Sequence, residues 1–559
     1  MARNFFVIIF SLKFLSWVIA DQPLSITLIH INDLHARYEP VTATSKSEDC
    51  SEEPKVPCIA GYARVVHAIR SLKKKYKNHN PIYINAGDNF QGTVWYGFLR
   101  WDVSQAMMNL EPPSLQTLGN HEFDHGVPNL ALYLNKIKWP VICANINTRN
   151  EPSIHQKINE GVVQNFLVNG ELVRVGFIGV IYDKTNLTTN TGSVIFENSI
   201  VAVKCQAERL KRDGINKIVV VSHCGYAMDL QIAEEVGDLI DVIVGSHSHT
   251  LLWPNYKLNE YPYKNDIVDE YPKVIHPKIA PHRKVLVLQA YCHGKVVGAI
   301  KIDFDRNGEV QNWEANPLYL NEKYPQDNEI NKQLDVWRAK VDEKSKVNIG
   351  KTKVLLEGKN CRWGECTLGN VIARIFRKSY AKKFPDQQIL AMVQAASFKG
   401  DLQPGDITEG DLMRVFPFDS SVDIMELKGK YIRRSLEKAA ILDRKKRFNF
   451  FQRSGFKVTY DMSKKENERV IDVHVFVKTG KYEALKDEKT YKFVTISFIA
   501  NGGDNFTEIS LNKQNHHVGP DSKDVIKAFL KENVITEVDV KTKKTIVNSC
   551  PYCEEKKQQ

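Results

Sequence analysis

The chain has 559 residues, of which 43% are hydrophobic and 26% charged, and its formal net charge is +11. This length predicts two or more domains, and the apolar content is ordinary for chains that bury large cores. Beyond the N-terminus there is no run of 18 consecutive apolar residues, and no nucleic-acid-binding motif is recognisable. We therefore expect no membrane-spanning helix and no nucleic-acid partner, and we attribute the positive charge mainly to solvated surface.

Residues 1–20 have the features of a secretory signal peptide. Arg3 provides the basic start, an apolar stretch interrupted by Lys13 follows, and Val18-x-Ala20 provides the small-residue end. The C-terminal residues 549–559 are polar and lack the hydrophobic tail that a GPI anchor requires. The sequence therefore predicts a secreted, extracellular protein without a membrane anchor.

Cysteine use agrees with export, since disulfides form in oxidising compartments. The closely spaced pairs are the expected bridges: Cys50/Cys58, Cys361/Cys366 and Cys550/Cys553. For Cys143, Cys205, Cys224 and Cys292, pairing and burial as thiols both stay open. Asn186 and Asn505 each begin an N-glycosylation sequon, and Asn186 is the predicted acceptor because Asn505 lies in a motif expected at a substrate cleft.

Short β-rich segments precede polar motifs along the first half of the chain. These segments are residues 26–31, 81–85, 217–221 and 241–244, and a helical stretch at 60–73 lies between the first two. Strands that alternate with helices predict a layered α/β domain. Such domains carry their sites where strands end, so the polar motifs are expected to converge.

Five motifs supply two Asp, one Asn and four His as candidate metal ligands. In chain order these are Asp33, His35, Asp88, Asn120, His223, His247 and His249. Any one motif could arise by chance, but the ordered set is the ligand inventory of a two-metal phosphoesterase. A buried histidine in the core is the alternative for each His taken singly.

The chemistry explains the inventory. Two divalent cations about 3.5–4 Å apart activate an attacking oxygen and offset negative charge on a phosphoryl group. A bridging Asp, neutral imidazoles and an amide oxygen hold such ions without excess negative charge. His121 and Asp124 have the spacing of a catalytic pair, in which the carboxylate orients the imidazole. The identity of the ions stays open among zinc, calcium, magnesium and manganese.

Residues 325–347 predict a helix, since Ile330, Leu334, Trp337 and Val341 repeat at helical spacing. The helix separates two regions of different composition, which favours a linker over an ordinary surface helix. The predicted organisation is a signal peptide at 1–20, a metallophosphoesterase domain at 21–324, a linker helix at 325–350, a second, α+β domain at 351–548, and a polar tail at 549–559.

From about residue 25 to about residue 530, these motifs resemble the 5′-nucleotidase/apyrase family, and they are most similar to the secreted salivary apyrases of blood-feeding insects. The resemblance implies a four-layered α/β metal-binding domain, a linker helix and a C-terminal domain that binds the nucleoside. It places one ion on Asp33, His35, Asp88 and His249, and a second on Asp88, Asn120, His223 and His247. Many relatives carry an amide at position 249. His121 and Asp124 match the family's catalytic dyad.

The resemblance also implies substrate contacts in the C-terminal half. Arg362 lies in a segment that contacts substrate, Phe418 and Phe498 match a pair of aromatic rings that stack on the base, and Asp504 matches an acid for the ribose hydroxyls. The next substrate loop departs from the family pattern, reading Gln394-Ala-Ala-Ser-Phe-Lys399 without glycines and with Lys in place of Arg. This departure favours ATP and ADP over AMP.

Three functions follow as hypotheses. The first is an apyrase that converts ATP and ADP to AMP and phosphate, which would remove the platelet agonist ADP and oppose haemostasis. The second is a 5′-nucleotidase that makes adenosine from AMP. The third is a platelet-integrin antagonist that acts through Lys399-Gly400-Asp401, which requires this tripeptide to form an exposed loop tip.

Overall fold

The computed structural model describes residues 23–44, 50, 56–255, 266–381, 383–418, 420–442, 447–477, 480–539 and 546–547. The predicted signal peptide, the polar tail and the pair Cys550/Cys553 lie outside these ranges. Among the described residues, the predicted strands and helices of the first half all form, with ends shifted by a few residues at most.

Parallel strands occupy the middle of the first sheet, which has eight strands. Its strands, in spatial order, are Val310–Ala315, Val296–Phe304, Leu24–Ile31, Pro81–Asn85, Leu115–Thr117, Val141–Ile142 and Ile158–Asn159, with Leu318–Tyr319 paired to Val296–Phe304. The strand Leu24–Ile31 runs antiparallel to Val296–Phe304 and parallel to Pro81–Asn85.

A second sheet, of six strands, packs face to face on the first. Its strands, in spatial order, are Lys273–Ile275, Val285–Leu288, Val242–Val244, Lys217–His223, Glu171–Ile181 and Gly161–Val168. Small two-stranded pairs accompany the large sheets: Val41–Thr42 with Cys58–Ile59, Ile146–Asn147 with Ile195–Phe196, and Leu251–Leu252 with Ile267–Asp269.

Helices cover the outer faces of both sheets. The helices of this half are α1 (Tyr62–Lys75), α2 (Val94–Met108), α3 (Gly126–Leu134), α4 (Ser199–Arg212) and α5 (Tyr226–Val236). Alternate residues of each strand face opposite sides, so Ile84 and Val221 fill the core between the sheets, while Tyr83 faces the α1–α3 side and Val220 the α4–α5 side. The order helix, sheet, sheet, helix makes four layers, as expected.

The described residues after 347 build a separate core around a five-stranded sheet. Its strands, in spatial order, are Phe451–Ser454, Ile389–Gln394, Thr490–Ile496, Val422–Lys428 and Gln514–His517. A three-stranded sheet contains Gly405–Thr408, Asn348–Thr352 and Val534–Ile535. A four-stranded sheet contains Tyr482–Ala484, Val470–Phe476, Phe456–Asp461 and Ile546–Val547. The helices are numbered from α7 because helix α6 (Asn328–Ser345) precedes them in the chain. They are α7 (Thr367–Ala381), α8 (Glu409–Val415), α9 (Gly429–Ala439), α10 (Ser497–Ala500), α11 (Thr507–Ser510) and α12 (Ser522–Glu532).

Helix α6 (Asn328–Ser345) lies between the two cores. The Asp327 side chain caps it by accepting the backbone N–H of Glu329 at 3.0 Å and of Ile330 at 3.2 Å. Ile330, Leu334 and Val341 are buried against the first half, as their spacing predicts. Because α6 also packs against α8, it contacts both halves of the chain.

Two of the expected disulfides, Cys50–Cys58 and Cys361–Cys366, are present. Cys143, Cys224 and Cys292 are buried free thiols, and Cys205 is exposed. Within the described ranges, no helix is long and apolar enough to cross a membrane.

A buried ion pair anchors the end of the second sheet. Arg283 Nη2 donates to Asp241 Oδ1 at 2.6 Å, and Nη1 donates to the Asp238 carbonyl at 2.7 Å. The Asp241 carboxylate also accepts the Ile218 backbone N–H at 2.7 Å, which joins the ion pair to the strand Lys217–His223.

We expect Arg283→Met to lower the free energy of unfolding by about 3–5 kcal/mol, because it leaves the Asp241 carboxylate buried without its cation. Urea unfolding followed by circular dichroism measures the loss. The control is Arg209→Met, which removes an exposed pair with Glu160 and should cost less than about 1 kcal/mol. Equal losses in the two variants would contradict the expectation.

Candidate functional site

The seven predicted metal ligands come together at the carboxyl ends of parallel strands. Leu24–Ile31 leads to Asp33 and His35, and Pro81–Asn85 leads to Asp88; Leu115–Thr117 precedes Asn120. From the second sheet, Lys217–His223 ends at His223, and Val242–Val244 precedes His247 and His249. The two packed sheets thus contribute to one cluster, as the sequence predicts.

Two ligand groups adjoin each other in the cluster, with His223 Nε2 of one 3.9 Å from Asp33 Oδ1 of the other. In the first, Asp33, His35 and His249 present ligand atoms within 4.8 Å of one another. The Nε2 atoms of His35 and His249 are 3.0 Å apart, and Asp33 Oδ1 is 3.4 Å from His249 Nε2. In the second group, the ligand atoms of Asp88, His223 and His247 also lie within 4.8 Å of one another, and Asp88 Oδ2 lies 3.0 Å from His223 Nε2.

Asp88 reaches both groups. Its Oδ2 is 3.0 Å from His223 Nε2 in the second group and 3.8 Å from His35 Nε2 in the first. This is the position expected of a bridging carboxylate.

The donor set fits divalent cations. Asp33 Oδ1 and Asn120 Oδ1 are buried and accept no hydrogen bond from the described residues. Buried polar atoms without a partner are costly, so their presence within a cluster of imidazoles indicates atoms reserved for a cation. Carboxylate, amide and imidazole donors suit several divalent ions, which leaves the identity and number of the ions open.

Hydrogen bonds from surrounding groups orient the ligand side chains toward the centre of the cluster. His223 Nδ1 is 2.7 Å from the Ala86 carbonyl, and His35 Nδ1 is 3.3 Å from the Phe90 carbonyl, so each ring can donate outward and turn its Nε2 inward. Asp33 Oδ2 accepts from Asn32 Nδ2 at 2.8 Å and from the His247 backbone N–H at 3.0 Å. These bonds leave Asp33 Oδ1 facing the cluster.

Five of the ligands have a left-handed backbone, which is unusual for residues other than glycine. The φ angles are 50° at Asp33, 51° at His35, 54° at Asp88, 71° at His247 and 51° at His249. Such conformations cost roughly 1–3 kcal/mol each and persist where the surrounding structure enforces them. Their concentration here supports the cluster as the candidate functional site.

Glu122 holds the ligand loops together, and sequence reasoning missed this role. Its buried carboxylate accepts three backbone N–H groups: Gly119 at 2.7 Å, Asp88 at 3.0 Å and Asn89 at 2.7 Å. Burial, with Asp88 nearby, raises the pKa of Glu122 to about 7. The available signal was local, since Glu122 stands three residues after Gly119 at the start of a short helix, where acidic side chains cap backbone N–H groups.

His121 and Asp124 form the expected pair. His121 Nδ1 lies 2.6 Å from Asp124 Oδ2, and Thr189 Oγ1 donates to Asp124 Oδ1 at 3.0 Å. Burial opposes a charged imidazole, but the carboxylates of Asp124 and Asp88 outweigh it and raise the pKa of His121 to about 10. Thr189 is remote from both residues in sequence, and no sequence signal identified it.

The pair opens into a cleft of about 930 Å³ that also contains residues of the C-terminal half. All the predicted substrate residues line it: Arg362, Gln394, Lys399, Phe418, Phe498 and Asp504. Asn449 Nδ2 donates to Asp504 Oδ2 at 2.7 Å, which orients that carboxylate. A Cβ atom at Gly503 would lie 2.5 Å from the Phe498 ring, so only glycine allows the loop to pack against this ring.

Lys399 and Gln394 meet the cleft in different ways. Lys399 Nζ lies 5.0 Å from the centroid of the Phe418 ring. Desolvation in the cleft, together with the charges of Arg362 and Arg447, lowers the pKa of Lys399 to about 8. The Gln394 side chain is buried, and its Oε1 accepts no hydrogen bond from the described residues.

The tripeptide Lys399-Gly400-Asp401 is not an exposed loop tip. Lys399 is exposed, but Gly400 is buried, and Asp401 Oδ1 accepts the backbone N–H groups of Gly358 at 2.8 Å and Lys359 at 3.0 Å. The integrin hypothesis required exposure, so the geometry does not favour it.

The predicted glycosylation acceptor Asn186 is exposed and lines the same cleft. The sequence favours Asn186 over Asn505 because Asn505 lies in a motif expected at a substrate cleft, and that difference between the two residues does not hold.

Comparison with known proteins gives matches along most of the chain. Residues 26–251 match the model of the calcineurin-like phosphoesterases, and residues 348–510 match that of the 5′-nucleotidase C-terminal domain. The chain is 41% identical over 532 residues to an apyrase of Anopheles gambiae, with 94% of this chain and 91% of the relative aligned. It is 30% identical over 528 residues to a 5′-nucleotidase of Bos taurus, with 91% and 89% aligned.

Among solved structures, a 5′-nucleotidase precursor from Thermus thermophilus superimposes with a TM-score of 0.68 and 31% identity. This superposition covers 94% of the present chain and all of the other one.

We expect Glu122→Gln to weaken divalent-metal retention about 10- to 100-fold, because an amide N–H₂ group would face backbone N–H donors and release the Asp88 and Asn120 loops. Metal content after dialysis against graded chelator measures this. The matched control is Glu437→Gln, since Glu437 also accepts two backbone N–H groups, from Arg469 and Val470, but lies outside the ligand loops. Unchanged retention in Glu122→Gln would contradict the assigned role.

Proposed function

Because the chain belongs to the 5′-nucleotidase/apyrase family and is a metal-dependent nucleotide phosphohydrolase, we propose that it is a secreted apyrase that converts ATP and ADP to AMP and phosphate. The observation that carries the proposal is the cleft, in which His121 and Asp124 face the residues expected to bind a nucleoside. His121 joins the cleft to the ligand cluster, since its ring centroid lies 5.1 Å from that of His35 and its backbone N–H donates to Asp88 Oδ1 at 3.0 Å. The proposed position of the phosphate chain is therefore at His121, with the base in the C-terminal half.

The proposal assigns one ion to Asp33, His35, Asp88 and His249, and the other to Asp88, Asn120, His223 and His247. Divalent cations held by these residues would supply a nucleophilic oxygen at neutral pH and would offset charge on the phosphoryl group. The protein's own part is to fix the ligands before substrate arrives, through the outward hydrogen bonds of His35 and His223.

His121 is the proposed proton-bearing group of the reaction. With Nδ1 bonded to Asp124 Oδ2, its proton at Nε2 can meet the negative charge that develops on a phosphoryl oxygen. Asp124 keeps the ring oriented, and Thr189 fixes Asp124 in turn. Phe418 and Phe498 would stack on the base, and Asp504 would accept the ribose hydroxyls.

Several observations favour the apyrase over the 5′-nucleotidase alternative. Relatives named apyrase are 41% identical in Anopheles gambiae and 40% identical in Aedes aegypti. The loop from Gln394 to Lys399 lacks glycines. The side chain of Lys399 is an ammonium group, which binds phosphate as a point charge and cannot form the two parallel hydrogen bonds that an Arg guanidinium can. Removal of ADP by a secreted enzyme would suppress platelet activation, and this is the anti-haemostatic role that we propose.

The test is phosphate release by the purified protein from ATP, ADP and AMP, with EDTA and with added divalent ions. We expect release from ATP and ADP, little from AMP, loss of activity in EDTA, and recovery when a divalent ion is restored. Release chiefly from AMP would replace the proposal with a 5′-nucleotidase. Absence of release from all three nucleotides with every ion would overturn both.

We expect His121→Ala to reduce turnover of ADP about 10²- to 10⁴-fold, since it removes the proton-bearing group and leaves the ligands in place. Metal content should equal that of the unmodified protein, and His67→Ala, on helix α1, should retain full turnover. A loss of bound metal in His121→Ala would show that His121 is a ligand and would contradict its assignment.

A further inference from the structure

His249 belongs to two groups of candidate ligands. On one side it joins Asp33 and His35 in the first ligand group. On the other it joins Cys292 and His293, and the ligand atoms of these three residues lie within 4.8 Å of one another. Cys292 and His293 are not in the group that contains Asp33 and His35. They define a second centre that borders the first group, since the His293 ring centroid lies 5.5 Å from that of His249 and 5.7 Å from that of His35.

The segment that carries Cys292 and His293 is tied to the first ligand loop. The Ala290 backbone N–H donates to Asn32 Oδ1 at 2.9 Å, and Asn32 Nδ2 donates to the Tyr291 carbonyl at 2.6 Å. The His293 backbone N–H donates to the Asp33 carbonyl at 2.8 Å. These bonds hold the second centre in a constant position relative to the first group.

The backbone of this segment is strained in the same manner as the ligand loops. Tyr291 has a φ of 58° and His293 a φ of 59°, both in the left-handed region, and neither is glycine. Strain of this kind is retained where the surrounding structure enforces it, and it clusters at ligand sites. The geometry that places His293 beside His249 therefore opposes the intrinsic backbone preference.

Cys292 differs from the other buried free cysteines. Its thiol packs in a small cluster with Leu251 and Val296, which alone would be consistent with a buried apolar residue. Cys143 and Cys224 are equally buried, yet among the described residues only Cys292 shares a ligand group with imidazoles. A thiol facing two imidazoles is a donor set of nitrogen and sulfur, which Mg²⁺ and Ca²⁺ do not prefer.

We propose that His249, Cys292 and His293 form a third cation site, selective for zinc and adjoining the two ligand groups already described. Two imidazoles and one thiolate are three of the four ligands of tetrahedral zinc, and a solvent or substrate oxygen can take the fourth position. On binding, the Cys292 thiol and the N–H group of the His249 ring each release a proton to solvent, and the lone pairs left on the sulfur and on that ring nitrogen form the bonds to zinc.

His249 can serve both centres at once as an imidazolate, in which both ring nitrogens have lost their protons and each offers a lone pair. Its Nε2 faces the first group, 3.0 Å from His35 Nε2 and 3.4 Å from Asp33 Oδ1. Nδ1 is then the atom for the third cation. Nearby Lys295 directs its ammonium group to the Thr44 carbonyl, at 2.7 Å, so this cation has its own acceptor. The site goes beyond nucleotide hydrolysis, and it would fix the His249 ring and favour zinc at this edge.

The test uses cobalt as a spectroscopic substitute for zinc in the full secreted chain. Cobalt bound to a thiolate gives an intense sulfur-to-metal absorption band in the near ultraviolet, and the other predicted metal ligands include no sulfur. We expect this band in the unmodified protein and in the control Cys143→Ser, and its loss in Cys292→Ser. Zinc content after removal of excess metal should be about three ions per chain, and about two in Cys292→Ser.

His293→Ala provides a second variant in case Cys292→Ser does not fold, since His293 is only half-buried; it should lose the third zinc ion and weaken the cobalt band. Absence of the band from the unmodified protein would overturn the proposal. So would the band with only two ions per chain, because Cys292 would then be a ligand of the first group. Neither result depends on nucleotide hydrolysis, so failure here leaves the proposed function standing.

Discussion

The metal-ligand cluster depends on the face-to-face packing of two sheets whose parallel strands end at the same edge. His223, at the end of a strand in the second sheet, places Nδ1 2.7 Å from the carbonyl of Ala86, which follows a strand of the first sheet. Ser246 Oγ donates to the same carbonyl at 2.7 Å. Because the core between the sheets is close-packed and apolar, these cross-sheet bonds keep the ligand loops in register.

The ligand edge concentrates backbone strain and buried charge that a cation would offset. Burial opposes ionisation of Asp88, yet the imidazoles of His223 and His121 hold the pKa of that carboxyl well below its usual range. The carboxylate is therefore in the form that binds a divalent ion. Glu122, nearby, uses its carboxylate for backbone N–H groups instead, which fixes the loops without occupying a ligand position.

The cleft needs both halves of the chain, because neither contains a complete set of groups for a nucleotide. The first half provides the ligand cluster and the pair His121–Asp124, and the second provides aromatic rings and the Asp504 carboxylate. Helix α6 contacts both halves, through α2 on one side and α8 on the other.

Local sequence patterns were sufficient for the candidate ligands that meet in one cluster, the strands that precede them, helix α6 and the disulfides Cys50–Cys58 and Cys361–Cys366. Each of these features is encoded within a short stretch of sequence: apolar runs predict the strands, apolar residues at helical spacing predict α6, and a short loop joins each pair of cysteines. Glu122, Thr189 and the group of His249, Cys292 and His293 required the tertiary structure, as did the burial of Gly400, which removed the loop tip that the integrin hypothesis needed. Thr189 meets Asp124 across 65 residues, and His249 meets the Cys292 segment across a chain crossover. Contacts of this kind are decided by how sheets and loops pack, and periodicity along the chain carries no information about them.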